Sequence, residues 1–328
     1  MSIYSSFKLV VSWIAVASGT TMLSPAVHAQ TDPDKPIRIV VPYGTGGGAD
    51  VFARVVGSGL EKIWKQGIAV DNRAGASGNI GTLAVVRSRP DGYTLLLQNI
   101  TMVTNYAVQG RLPYTPSTDL TPILMLGSTP WVIVANPKAN IHSLQELTDL
   151  VKKNPGTVSY ASCGIGTPQH LTMEVLNQAL NLDILHVGYK GCSPAMTDVI
   201  GGQVPVAIVS ANLVAPYLNT GKLTAIGVMS SKRYEALPNV RTIEEQGVKS
   251  FNYDGWYALM GPSGMAPDVV AKITESVSKV LDDTTVQKTL YDAGIEVKKG
   301  SAKELSKTIA DDSAHYYDLA RKLGIKPE

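Results

Sequence analysis

The densest set of chemically useful groups lies in VVPYGTGGGAD, Val40 to Asp50. Gly44, Gly46, Gly47 and Gly48 let the backbone turn its N–H groups into a concavity, and a helix starting there adds its own unpaired donors. Gly44 to Ala49 also fits the G-x-G-x-x-A dinucleotide pattern, with Asp71 about 20 residues on, where a ribose-binding acid would stand. Two chemistries are therefore open at Tyr43, Thr45, Gly46, Gly47, Gly48 and Ala49. One is a dinucleotide pyrophosphate. The other is any small anion, a carboxylate included.

Two more turns have the same make-up. Gly164-Ile165-Gly166 runs into Thr167-Pro168, and Gly191 precedes Ser193-Pro194, each pair reading as N-cap and first helical residue. Asp50 reads as the N-cap of the first helix. Capping residues and glycine turns are ordinary connection chemistry in an α/β chain. Three of them facing a cleft would suit a small molecule with a carboxylate at each end.

Catalytic and metal patterns do not appear. Gly75-Ala76-Ser77-Gly78 lacks the spacing of a nucleophile elbow. The five histidines make no metal-ligand pair; His170, in the first turn after Pro168, either bonds a neighbouring loop or touches ligand. Asp282-Asp283 and Asp311-Asp312 read as solvated helix faces. No enzyme activity, metal or cofactor is expected.

The elements that must position these turns alternate strand and helix. Apolar runs predict strands at Ile37–Pro42, Ile68–Asp71, Tyr93–Gln98, Trp131–Ala135, Val158–Ala161, Ile184–Val187, Val204–Val209, Thr224–Met229 and Tyr257–Met260. Helical periodicity covers Asp50 to about Gln66, the residues from about Asn79 to Arg87, Leu144–Lys153, Pro168–Asn181, Pro194–Gly201, Pro267–Leu281, Thr285–Ala293 and Ala302–Leu323. Such alternation implies mostly parallel sheets flanked by helices, with ligand at the strand ends. The chain reads as two α/β halves, crossing near Thr129-Pro130 and again near Phe251. Residues 36–129 plus 252–328 form one domain and 130–251 the other.

At 328 residues, 44% hydrophobic and 17% charged, the chain is long enough for two cores. A net charge of +2 with no dense Lys/Arg run argues against nucleic acid. Residues 1–29 read as a signal peptide: Lys8, the short apolar run Leu9–Ala17, then Val27-His28-Ala29 before a cut at about Gln30. The apolar run is too short to span a bilayer. Export to the periplasm weighs against a diffusing NAD enzyme and leaves the anion reading of the glycine loop. It also bears on Cys163 and Cys192, the only two cysteines. An oxidising space favours a disulfide between them; two buried thiols are the alternative.

In sequence order, PIRIVVPYGTGGGADVFAR, VDNRAGASGNIGT, RPDGYTLLL, SYASCGIGTPQHLTMEVLN, HVGYKGCSPAMTDVIGGQVPVA, KRYEALPNVRTIEEQGV and WYALMGPSGMAPDVVAKI resemble one family. It is the extracytoplasmic solute receptors of tripartite tricarboxylate transporters, often called Bug receptors. The resemblance covers nearly all of the chain after residue 29. It implies a two-lobed periplasmic binding protein of type II with ligand in the interdomain cleft. It also implies two anchoring loops, matching Tyr43–Asp50 and Gly164–His170, that hold one carboxylate with little reliance on a charged clamp. Thr167 carries over as a hydroxyl donor beside Gly166, Pro168, Gln169 and His170, and Asp50 as the residue that shapes the first loop. Lys190, Ser193, Ser210 and Asn212 would read the far end of the ligand.

Ala49 departs from the family's usual Ser or Thr, Tyr43 from its Phe and Gly188 from its Pro. Cys163 and Cys192 occur together in a subset that looks disulfide-linked. The expected ligand is a di- or tricarboxylate or an aromatic acid such as terephthalate, the last favoured by Tyr43. The expected partner is a permease of one large and one small membrane subunit, served by a monomeric receptor. A periplasmic sensor presenting its closed form to a histidine kinase is the alternative, and a nucleotide-dependent enzyme a remote one.

Overall fold

The apolar run Ile37–Val41 forms strand β1 because every second position and more is buried on both faces. The computed structural model describes residues 33–109 and 111–325. The signal-peptide reading of residues 1–29 lies outside them. Helix α1 (Gly48–Trp64) buries Phe52, Val56, Leu60 and Trp64, a spacing of four that lines up one face. Its N-cap is Gly47 rather than Asp50. The glycines let the chain enter the helix three residues early, so Asp50 falls inside the first turn.

After β2 (Ile68–Asn72), α2 (Asn79–Val86) and β3 (Thr94–Asn99) comes α3 (Thr101–Gln109). Its start is fixed by the Asn99 side chain accepting the Thr101 N–H at 2.9 Å. Strand β4 then runs sixteen residues, Leu120–Ala135. The expected Trp131–Ala135 strand is only its second part. Register shifts between Pro122 and Leu124 and between Met125 and Gly127 carry it past residues that would otherwise break a ladder.

The next units are α4 (Leu144–Lys153), β5 (Ser159–Ser162), α5 (Pro168–Leu180), β6 (Leu185–Gly188), α6 (Cys192–Gly201), β7 (Val206–Ser210), α7 (Ala211–Leu218) and β8 (Thr224–Val228). Helix α6 begins at Cys192 with Gly191 as N-cap, so Ser193-Pro194 lies within its first turn and does not cap it. The chain returns through β9 (Asp254–Pro262) and ends in α8 (Pro267–Asp282), α9 (Thr284–Asp292), β10 (Glu296–Gly300) and α10 (Ala302–Lys322).

Strand β4 belongs to two sheets. Its residues 120–130 pair with β9, in the sheet ordered β2-β1-β3-β9-β4 with β10 beyond. Its residues 131–135 pair with β7 and β8, in the sheet that continues to β5 and β6. In the first sheet β2, β1, β3 and β4 point one way against β9 and β10; in the second, β6, β5, β7 and β8 point one way against β4. Both are thus mostly co-directional, as the alternating pattern predicts. Their strand ends face each other across a cleft between two lobes.

The C-terminal helices pack on the first sheet's lobe: Val277, Val280, Leu281 and Leu290 share a core with Phe52, Val56 and Leu60. Another core is continuous through both lobes, from Leu96 and Met260 past Trp131 and Trp256 to Ile208 and Leu171. No helix among the described residues is long and apolar enough to cross a membrane.

Candidate functional site

Four helices, α1, α5, α6 and α7, direct their N-termini at the cleft. The first N–H groups of a helix have no partner within it, so each end offers donors and partial positive charge. The sequence pattern points to the first three. Helix α7 is hidden by Pro216 in its interior. Its N-cap, Ser210, makes no side-chain capping bond.

The ends border a cavity of about 1090 Å³. Of the residues expected to contact ligand, Tyr43, Thr45, Gly47, Gly48 and Ala49 line it from the first lobe. Gly166, Thr167, Gln169, Lys190, Ser193, Ser210 and Asn212 line it from the second. Gly46, Pro168 and His170 are not on the wall. The residues from Gly75 to Gly78, together with Asn99, Arg111, Trp131, Tyr189, Trp256 and Tyr257, are on it but not evident from spacing. Of these, the Gly75–Gly78 loop carried a signal, its glycines. The others come from elements far apart in sequence that only the fold assembles.

The first loop is held from behind. Asp50 accepts the Gly46 N–H at 2.9 Å, the Asn72 amide at 2.9 Å and a pair of bonds from Arg54. Burial opposes its ionisation, but Arg54, the Gly46 N–H and Asn72 outweigh burial and hold its carboxyl below the usual range. Its charge is spent inside the loop, which leaves the N–H groups of Gly48 and Ala49 to the cleft. Gly48 has no room for a side chain: a Cβ there would fall on the Tyr257 hydroxyl and 3.3 Å from the Asn212 amide. The Tyr43 ring lines the cavity while its hydroxyl sits 2.6 Å from Gln98 Oε1 and 2.8 Å from Asn99 Oδ1. Burial raises its pKa well above normal. Asp71 is held by Arg73 at 2.7 Å and is not on the wall, so the ribose-binding part of the dinucleotide pattern is missing.

The second loop is locked by neutral groups. Thr167 caps α5, accepting the His170 N–H at 3.4 Å and donating its hydroxyl to Gly164 O at 2.7 Å. His170 Nδ1 accepts the Gly166 N–H at 3.1 Å, so of its two expected roles the structure assigns it the loop bond. Its ring stacks on His186 at 3.8 Å, and His186 Nε2 lies 2.7 Å from Ser162 Oγ. Burial, with the other ring beside it, lowers His170 to about 3, and burial lowers His186 to about 4. Both are neutral at pH 7. Beside them Cys163 and Cys192 form a disulfide, joining the turn after β5 to the first turn of α6. It follows from β5 and β6 being parallel neighbours, which brings both cysteines to the same sheet edge.

Charge on the wall is one-sided. The cavity is lined by no Asp or Glu, and its charged side chains are Arg111 and Lys190. Among the described residues no group of His, Cys, Asp and Glu could hold a metal ion. The arrangement can bind an anion through backbone donors; it offers no carboxylate to pair with an ammonium group.

Residues 52–325 match the family model described as the tripartite tricarboxylate transporter family receptor. Protein BugT of Bordetella pertussis is 32% identical over 315 residues, covering 95% of this chain and 97% of that one. The solved periplasmic binding protein BugD is 31% identical with a TM-score of 0.83, over 90% of this chain and 100% of that one. An R. palustris protein solved with adipate is 27% identical with a TM-score of 0.86, over 90% and 99% of the two chains.

Proposed function

Since the chain belongs to the tripartite tricarboxylate transporter receptor family, a family of periplasmic solute-binding receptors and not of enzymes, we propose that it captures a small carboxylate between its lobes. The observation that carries this reading is the meeting of four helix N-termini on a cavity whose wall holds no carboxylate of its own. Each helix end stabilises an anion by about 0.3–1 kcal/mol, more where water is excluded.

One carboxylate would rest on the N–H groups at Gly47–Ala49 and on that of Gln169. The far end would meet Lys190, Ser193, Ser210 and Asn212. The rings of Tyr43, Trp131, Tyr189, Trp256 and Tyr257 on the wall suit a flat acid such as terephthalate as well as an aliphatic di- or tricarboxylate. The adipate held by the R. palustris relative is such a diacid.

The lobes divide as 36–129 plus 252–328 and 130–251, with the hinge at the two crossings. A ligand touching both lobes favours the closed form in proportion to the contacts made only there. That form would dock on a membrane permease of one large and one small subunit, the receptor acting as a monomer.

The test is a thermal-shift screen with aliphatic and aromatic mono-, di- and tricarboxylates, amino acids and NAD. A ligand at a hundred times its dissociation constant adds about 2.7 kcal/mol and shifts the transition clearly. A shift with one class of carboxylate is expected. A shift with NAD alone would overturn the reading.

A further inference from the structure

We propose that Arg111 and Lys190 form a cationic rim, one residue from each lobe, that makes closure depend on a second negative charge in the ligand. The proposal rests on the carboxylate reading of the cleft and adds a residue, Arg111, and a charge requirement to it.

Three observations place the pair. Both side chains line the cavity, and they are the charged residues that do so. Both are exposed, and neither makes an ion pair among the described residues. The segments that carry them flank one turn. A Cβ on Gly166 would lie 3.0 Å from Val108, three residues before Arg111. A Cβ on Gly164 would lie 2.9 Å from the carbonyl of Tyr189, the residue before Lys190. The Gly164–Thr167 turn is therefore bordered by the segment of the first lobe that leads to Arg111 on one side and by the segment of its own lobe that leads to Lys190 on the other.

Closing the cleft brings two uncompensated positive charges toward one turn that already carries the positive end of α5. Their repulsion works against closure. A ligand whose inner carboxylate sits on the helix ends and whose outer group is a second carboxylate cancels that repulsion. A ligand with a neutral outer group fills the same space and leaves it. The rim is exposed to water, so the effect is screened by salt.

Calorimetric titration of the purified chain tests this with matched pairs: glutarate, adipate and terephthalate, each against its own monoamide, at low and at 0.3 M (about 5.5 Å Debye length) sodium chloride. At low salt each bound diacid is expected to exceed its monoamide by about tenfold in affinity, a margin of about 1.4 kcal/mol. The margin should shrink at high salt. Arg111→Gln and Lys190→Gln should each reduce it, chiefly by tightening the monoamide, because removing one cation relieves the repulsion that a neutral outer group leaves in place. Equal binding of diacid and monoamide by the unaltered chain overturns the rim and leaves the carboxylate receptor intact. So does an Arg111→Gln variant that weakens both partners of a pair alike. Failure of every diacid and every monoamide to bind overturns the carboxylate reading and the rim with it. Melting temperatures without ligand confirm that each variant is folded.

Discussion

His170 and His186 do their work as uncharged rings. Stacked at 3.8 Å, they tie the Gly166 N–H and the Ser162 hydroxyl into one buried unit behind the second anchoring loop. Both are depressed from 6.5, to about 3 and about 4, so the unfolded chain takes up protons in a range where the folded chain does not. Stability should therefore fall as pH drops from about 6.5 towards the folded values. The melting temperature is expected to decline between pH 7 and pH 5, and a His170→Asn/His186→Asn variant should show a flatter slope over the same window. Identical slopes would remove the pair from the account.

The same residues mark how far sequence reasoning reaches. Thr167-Pro168 is legible as a helix start because capping is local. Whether His170 faces ligand or loop depends on His186, sixteen positions away on strand β6. Asp50 is a similar case: its place before an apolar helical face suggests a cap, but glycines upstream moved the helix start and turned it into the internal anchor of Gly46.

At the scale of elements, apolar runs such as Ile37–Val41 and Thr94–Asn99 announce their strands because both faces are buried. Helix α3 is masked by β-branched residues, α7 by Pro216 and β10 by its lysines, all held in place by tertiary pairing. Most of β4, residues 120–130, escapes sequence reasoning because Pro122, Gly127 and Pro130 look like punctuation. Where β4 changes sheets, Pro130 lies opposite Asp254, the first residue of β9. Asp254 has a buried carboxylate oxygen without a partner. Burial pushes it up to about 6, with Glu296 adding to the shift and Lys298 opposing it. A carboxyl whose folded pKa lies above its unfolded 3.8 contributes stability at low pH and loses it as pH rises through 6. Asp254→Asn should therefore raise the melting temperature at pH 7.5 and leave it unchanged near pH 4. A loss of stability at pH 7.5 would mean that the ionised group has a structural partner.

Over the whole molecule, the lobes already meet at several points, among them Gly166 against Val108 and Gly294 against Asn212. Gly294 has φ +75, and a Cβ there would fall on the Asn212 Cα. No side-chain rotation relieves a clash with backbone, so Gly294→Ala should wedge the lobes apart. Affinity for the cleft ligand is expected to fall by roughly tenfold, about 1.4 kcal/mol, and small-angle scattering of the ligand-saturated variant should keep the dimensions of the unliganded form. Unchanged affinity with a compact liganded state would show that closure does not use this contact.

Strand β9 lies between β3 and β4, yet the second sheet's strands β5 to β8 are all made before it in the chain. The first sheet therefore has a gap at its centre until residue 262 is present. Its early strands cannot pair across that gap, and closing it joins residues more than a hundred positions apart, as in the register of Leu96 with Met260. Such long-range closure is slow and comes after local pairing. The order of birth along the chain is thus not the order of assembly: the lobe that starts first is completed last, and the lobe inserted into it can fold while its host waits.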